Sequence, residues 1–262
     1  MVIPFPPPRP GADIRVSATL WMAWRRCPSS AMARLDGLYS PESKRSFSGA
    51  LAHGIIRRHL EGGPIDDVPQ ACREEIGAGL NHKLSELRLK PSELRGVIEE
   101  VDAVYTRFTT LSTDGFEHAE VALEHEPSPG VTLRGRVDAT FRSEAGVTLT
   151  DWKTGGLGDP EDQLGFYALL WALDRNELPV RVEACSVGTG ERFVAEPGRK
   201  DLAELAAGVS SMVDTIRDLW ADDGARPITA GPWCRYCPIV ESCVEGSATV
   251  AILDGSARTG ER

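Results

Sequence analysis

The 262-residue chain has no unbroken apolar run long enough to cross a bilayer, which excludes a membrane-spanning helix. It contains no G-x-x-x-x-G-K-[ST] phosphate loop and no helicase motif, so neither ATP use nor strand unwinding of its own is expected. It lacks the excess of positive charge that marks a protein coating nucleic acid non-specifically, since its net charge is −10. A carboxylate site that binds divalent cations reverses the local field, so this balance leaves metal-dependent chemistry on phosphates open. The opening MVIPFPPPRPGADIR does not follow the charged-then-apolar order of a secretion signal. A cytoplasmic protein is therefore expected, and its six cysteines should be reduced thiols or metal ligands rather than disulfides.

The length fits one large domain. Residues 1–15 read as a loose Pro-rich arm, 16–245 as one domain, and 246–262 as a polar, frayed tail. A helix is expected after Ser17, carrying Leu20, Trp21 and Trp24 and ending at Cys27-Pro28. A second fits 47–63 and stops at Gly62-Gly63-Pro64. An inserted region over about 64–112 reads as helical, with caps at Asp66 or Asp67 and at Ser92. The core spans about 116–220. It begins with three successive strands, FEHAEVALEHE, VTLRGRVDATF and GVTLTDWKT, turned at Pro127–Gly130 and Ser143–Gly146. A helix over 161–175, two strands near 179–197 and a helix over about 199–221 follow. This order predicts an α/β fold, a mixed central sheet flanked by helices.

The chemistry concentrates in LRGRVDATF and TLTDWKTGG. On a strand Asp151 and Lys153 point to the same face. Asp138 and Asp151 are two hard ligands for Mg²⁺ or Mn²⁺, and a cation there would stabilise a phosphorane and acidify a water. Lys153 can reach the attacked phosphate or the attacking water. His53, whose ring stands among Leu51, Ile55 and Ile56, is a further ligand candidate and tilts the choice toward Mn²⁺. Gln163 and Tyr167, four residues apart, share a helix face that starts just after Lys153. Arg134 and Arg136 add positive charge nearby, and Arg25, Arg26, Arg57 and Arg58 are candidates to join them. Exposed Trp21, Trp24 or Tyr105 would be able to stack on bases, although core packing is the commoner fate of such residues.

The motifs Gly49-x-x-x-His53, Gly135-Arg-Val-Asp138, Asp151-Trp-Lys153-Thr154-Gly155 and Gln163-Leu-x-x-x-Tyr167 together resemble the RecB-like branch of the PD-(D/E)XK nucleases, in the family's order. The resemblance covers roughly 49–171. It implies a restriction-endonuclease-like core cutting DNA with Mg²⁺ or Mn²⁺. His53, Asp138, Asp151 and the carbonyl of Trp152 would be the ligands, Lys153 the catalytic lysine, and Gln163 and Tyr167 the trailing helix motif. Trp152 stands where the family more often has Tyr.

Cys234, Cys237 and Cys243 form C-x₂-C-x₅-C, and Cys27 is the best fourth ligand because Cys-Pro ends a helix. The spacing alone leaves three readings open: a [4Fe–4S] cluster, Zn²⁺ in a Cys₄ site, or unmetallated thiols. Cys72 and Cys185 read as ordinary core thiols. One distant N-terminal cysteine joined to a C-terminal trio is similar to the AddB nuclease domain and the CRISPR-associated four-cysteine exonucleases. That likeness implies a [4Fe–4S] staple. It also implies exonuclease action on single-stranded or frayed DNA ends in repair, recombination, CRISPR adaptation or phage metabolism, beside a helicase or CRISPR-adaptation partner. The alternatives are a non-catalytic nuclease-fold subunit that binds DNA ends or a protein, and a zinc-stapled endonuclease of restriction type.

Overall fold

A computed structural model describes residues 3–222 and 226–259, without the side chains of 256–259. The chain divides into two compact units, one of 1–3, 42–124 and 135–202, the other of 4–41, 125–134 and 203–262. The central sheet is mixed and flanked by helices, as the motif order predicts.

The first unit begins with α3 (Lys44–Gly62), the third helix of the chain. Ser43 caps it by accepting the Ser46 N–H, and Gly63 at φ +88 ends it in a backbone that favours glycine. The inserted region is built of several helices. α4 (Val68–Glu75), capped by Asp67, runs through a π-helical turn at Ile76–Leu80 into α5 (Asn81–Leu87). α6 (Pro91–Phe108) starts on Pro91, and Glu93 accepts the Lys90 N–H. The cap is therefore Lys90 and not Ser92, because Pro91, immediately before Ser92, takes the first helical position. Val97, Val101 and Phe108 of α6 pack with Phe47, Leu51 and Ile55 of α3 in one buried cluster.

Five strands follow in the chain: β2 (Phe116–Ser128), β3 (Val131–Ser143), β4 (Gly146–Lys153), β5 (Arg181–Ser186) and β6 (Arg192–Ala195). β3 and β4 form an antiparallel hairpin closed at Ser143 and Gly146. β4 and β5 are parallel, with Asp151 opposite Ala184 and Lys153 opposite Ser186. Parallel neighbours need a crossover, and α7 (Glu161–Arg175) supplies it, packing on both strands. β6 closes this edge antiparallel to β5.

In the second unit a short strand absent from the sequence reading, β1 (Ile14–Ser17), pairs in parallel with Val131–Arg134 of β3. Ser17 then caps α1 (Ala18–Arg26). Pro28 ends α1 and opens α2 (Pro28–Leu35), since its missing N–H costs nothing in a first turn. The arm before β1 is not loose. Arg9 pairs with Asp214 and Asp218 of α8 (Arg199–Ala221), and Arg217 donates to the carbonyls of Arg9 and Ala12. The expected frayed tail is also helical from Val244 to Thr259, as α9, because Ala248, Ala251 and Leu253 are good helix formers. Residues 260–262 lie outside the described residues.

Candidate active site

Asp151 and Lys153 occupy the C-terminal end of β4 on the side facing α7, while Trp152 between them points the other way. The Trp152 ring meets Phe108 edge-on at 5.4 Å and Phe141 at 6.4 Å. That anchor holds the strand end in register. α7 comes close because β3 carries Gly135 beneath it. A Cβ there would stand 3.1 Å from Leu170 Cδ2 and 3.3 Å from Tyr167 Cε1.

Three polar side chains close around Asp151. Lys153 Nζ lies 2.7 Å from Asp151 Oδ2, in ion-pair rather than hydrogen-bond geometry. Gln163 Nε2 donates to Asp151 Oδ1 at 2.9 Å and to the Tyr167 hydroxyl at 3.1 Å. Its Oε1 accepts from Lys153 Nζ at 2.8 Å. Gln163 thus grips the carboxylate and the ammonium together. Burial, and next the charge of Asp138, push the Asp151 carboxyl up to about 6 against the opposing pull of Lys153 and His53. Burial also raises the Tyr167 phenol well above its ordinary range, so it stays neutral.

Asp138 stands on β3. Its Oδ2 accepts the Trp152 backbone N–H at 2.7 Å, and its Oδ1 lies 3.5 Å from His53 Nδ1 on α3. Burial works to lower the His53 pKa. The hydrogen bond to Asp138, its charge, and the charges of Asp151 and Glu120 outweigh that and raise it.

His53, Glu120 and Asp138 bring ligand atoms within 4.8 Å of one another, and among the described residues this is the one group of its kind. Its donors are an imidazole and two carboxylates, a set that suits Mn²⁺ or Mg²⁺. This group shares His53 and Asp138 with the expected ligand set and adds Glu120, while Asp151 lies against Lys153 and Gln163. Glu120 escaped the sequence reading because β2 carries four glutamates, Glu117, Glu120, Glu124 and Glu126, with nothing in spacing to single one out. His53, Glu120 and Asp138 line a cleft of about 700 Å³ with Ser46, Gly49, Arg57 and Arg136. Arg57 is tied to Glu75 and Arg58 to Glu74, and Arg136 lies 3.4 Å from Glu120. Trp21 and Tyr105 are core residues, and Trp24 packs against Leu20, Ala23 and Ala31. Trp21 and Tyr105 therefore present no open stacking face, and Trp24 is half-buried.

The four cysteines of the expected staple all belong to the second unit. Cys27 Sγ accepts the Thr229 N–H at 3.5 Å, Cys234 Sγ the Gly231 N–H at 3.4 Å, and Cys243 Sγ the Gly246 N–H at 3.3 Å. A Cβ on Gly246 would stand 3.2 Å from Cys243 Sγ and 3.7 Å from Cys234 Sγ, so both sulfurs converge on its bare face. Cys72 is fully buried, and burial pushes its thiol up to about 12. Cys185 is buried on β5.

The sequence matches the PD-(D/E)XK nuclease superfamily over residues 15–244. No curated protein matches the chain significantly. Among solved structures, a protein provisionally named an exonuclease from Eubacterium rectale superposes with a TM-score of 0.50 at 11% identity, over 81% of this chain and 83% of its own. The protein SSO0001 shares 15% identity over 75% of this chain and 96% of its own, with a TM-score of 0.34. No helix among the described residues is long and apolar enough to cross a membrane. With a family match spanning most of its length and a mixed sheet that gathers Asp138, Asp151 and Lys153, this chain belongs to the PD-(D/E)XK nuclease superfamily.

Proposed function

We propose that the chain is a divalent-cation-dependent deoxyribonuclease of the RecB-like, iron–sulfur branch, acting as an exonuclease on single-stranded or frayed DNA ends. The observation that carries this reading is the Gln163 clamp, which holds Asp151 and Lys153 together beside the His53–Asp138 pair.

His53, Asp138, Asp151 and the Trp152 carbonyl would hold Mg²⁺ or Mn²⁺, which supplies neutralising charge at the scissile phosphate and a more acidic water. The chain's own residues do the rest. Lys153 stabilises negative charge building on the phosphate oxygens and orients the attacking water. Gln163 holds the Lys153 ammonium in place through its Oε1. Tyr167 remains protonated and braces Gln163. Trp152 N–H fixes the Asp138 carboxylate so that Oδ1 faces the cleft.

Cys27, Cys234, Cys237 and Cys243 would hold a [4Fe–4S] cluster as a staple of the second unit. Three backbone N–H donors to sulfur support this, since such bonds tune cluster thiolates. Among the described residues no three cysteine sulfurs lie within 4.8 Å of one another, whereas four thiolates on one zinc sit about 3.8 Å apart. Unwinding would come from a helicase or CRISPR-adaptation partner, as the chain has no nucleotide-binding loop of its own.

The test is cleavage of linear DNA by the Asp138→Asn/Asp151→Asn double variant with intact iron content. Loss of cutting is expected. Retained cation-dependent cutting would overturn the site assignment.

A further inference from the structure

We infer that Glu120 is a direct ligand of the catalytic cation, sharing it with His53 and Asp138. The inference rests on the cation-dependent reading above and adds a residue to it. Its carboxylate lies within 4.8 Å of ligand atoms of both His53 and Asp138, close enough for one ion to touch all three.

The local backbone is shaped to deliver it. Residues of β2 alternate in exposure toward its C-terminal end, from Val121 to Glu126, but Ala119, Glu120 and Val121 are all half-buried in succession. The break coincides with φ +51 at Glu120, a left-handed value that a glutamate rarely adopts. A strand gains nothing from that conformation at a non-glycine residue, whereas a bulge re-aims one side chain.

The pairings on hand do not account for this placement. Glu120 meets Arg136 at 3.4 Å, but the Arg136 side chain is 65% exposed, where an ion pair contributes little. Its other close neighbours are Asp138, of like charge, and the His53 imidazole. The two carboxylates repel each other, and a cation shared with the imidazole would offset that repulsion. Asp151 is meanwhile engaged at both oxygens by Lys153 and Gln163.

The experiment titrates Mn²⁺ into the full chain in the absence of DNA, reading free Mn²⁺ by electron paramagnetic resonance. Wild type is compared with Glu120→Gln, and with Glu120→Asn, since asparagine tolerates left-handed backbone. We expect both variants to raise the Mn²⁺ Kd by about tenfold or more while their metal-free melting temperatures hold or rise. Variants that bind Mn²⁺ with the wild-type Kd would overturn the ligand role and leave the nuclease reading standing. A wild type that binds no Mn²⁺ would overturn both.

Discussion

Gln163 donates to Asp151 Oδ1 and accepts from Lys153 Nζ, at 2.9 and 2.8 Å, so one amide fixes both ends of the Asp-x-Lys motif. The amide is suited to this because it carries a donor and an acceptor on one rigid plane. Its position on α7, one turn before Tyr167, is set by the Tyr167 hydroxyl that takes its second N–H.

Gln163→Leu should therefore loosen Lys153 without removing it. The expected result is a fall in kcat of about 10- to 100-fold with little change in KM for DNA, the size seen when a supporting residue of a metal site is lost. Steady-state kinetics on a short labelled oligonucleotide would check it.

Metal binding should depend on pH in the acid range. Asp151 is raised to about 6 and His53 is raised from its usual value, so both take up protons before an exposed carboxylate would. A protonated carboxyl or imidazole does not ligate. Mn²⁺ affinity should thus climb as pH rises from about 5 to 7, and an isothermal titration series across that range would show it.

The same shift has an opposite sign for stability. Between the usual aspartate value and about 6 the folded chain holds a proton on Asp151 that the unfolded chain has lost. This group's contribution to metal-free stability is full at low pH and lost as pH rises through about 6. Asp151→Asn should consequently raise the metal-free melting temperature at pH 8, by roughly 1 kcal/mol or more in stability, while abolishing cleavage. Differential scanning calorimetry in chelator measures the first effect.

Gly135→Ala tests how α7 is seated. The new methyl would press on Tyr167 and Leu170 at 3.1–3.3 Å. A loss of about 1–3 kcal/mol is expected from overpacking, together with reduced activity as Tyr167 and Gln163 shift. Chemical denaturation beside the cleavage assay separates the two.

Cys27→Ser, or Ser at any of the C-terminal trio, should remove iron and lower the melting temperature of anaerobically purified protein, with no change for Cys72→Ser in iron content. In the chain-entropy picture, joining residues some two hundred apart is worth several kcal/mol, on the order of 5. Iron analysis and visible absorption report the first effect directly.

Much of this was legible in the sequence because strands and helices here carry strong local signals. The hairpin of β3 and β4 follows from alternation and its Gly146 turn, and α7 from its apolar periodicity after Pro160. Asp138, Asp151, Lys153, Gln163 and Tyr167 could be singled out because their spacing is characteristic, and the structure brings them together with His53. What escaped depended on tertiary partners. β1 is four residues long and exists because Val131–Arg134 pairs with it. The arm at 4–13 looks unstructured by composition but is pinned through Arg9 and Arg217. Glu120 needed a left-handed backbone that no propensity would assign to glutamate.

The most direct test of the central claim is a cleavage assay on anaerobically purified protein, with linear single- and double-stranded DNA and Mg²⁺ or Mn²⁺, run beside Lys153→Ala. Cutting by the wild type, reduced about a hundredfold or more in the variant, is the predicted result. Equal cutting by both proteins, or none by iron-loaded wild type with either cation, would contradict it.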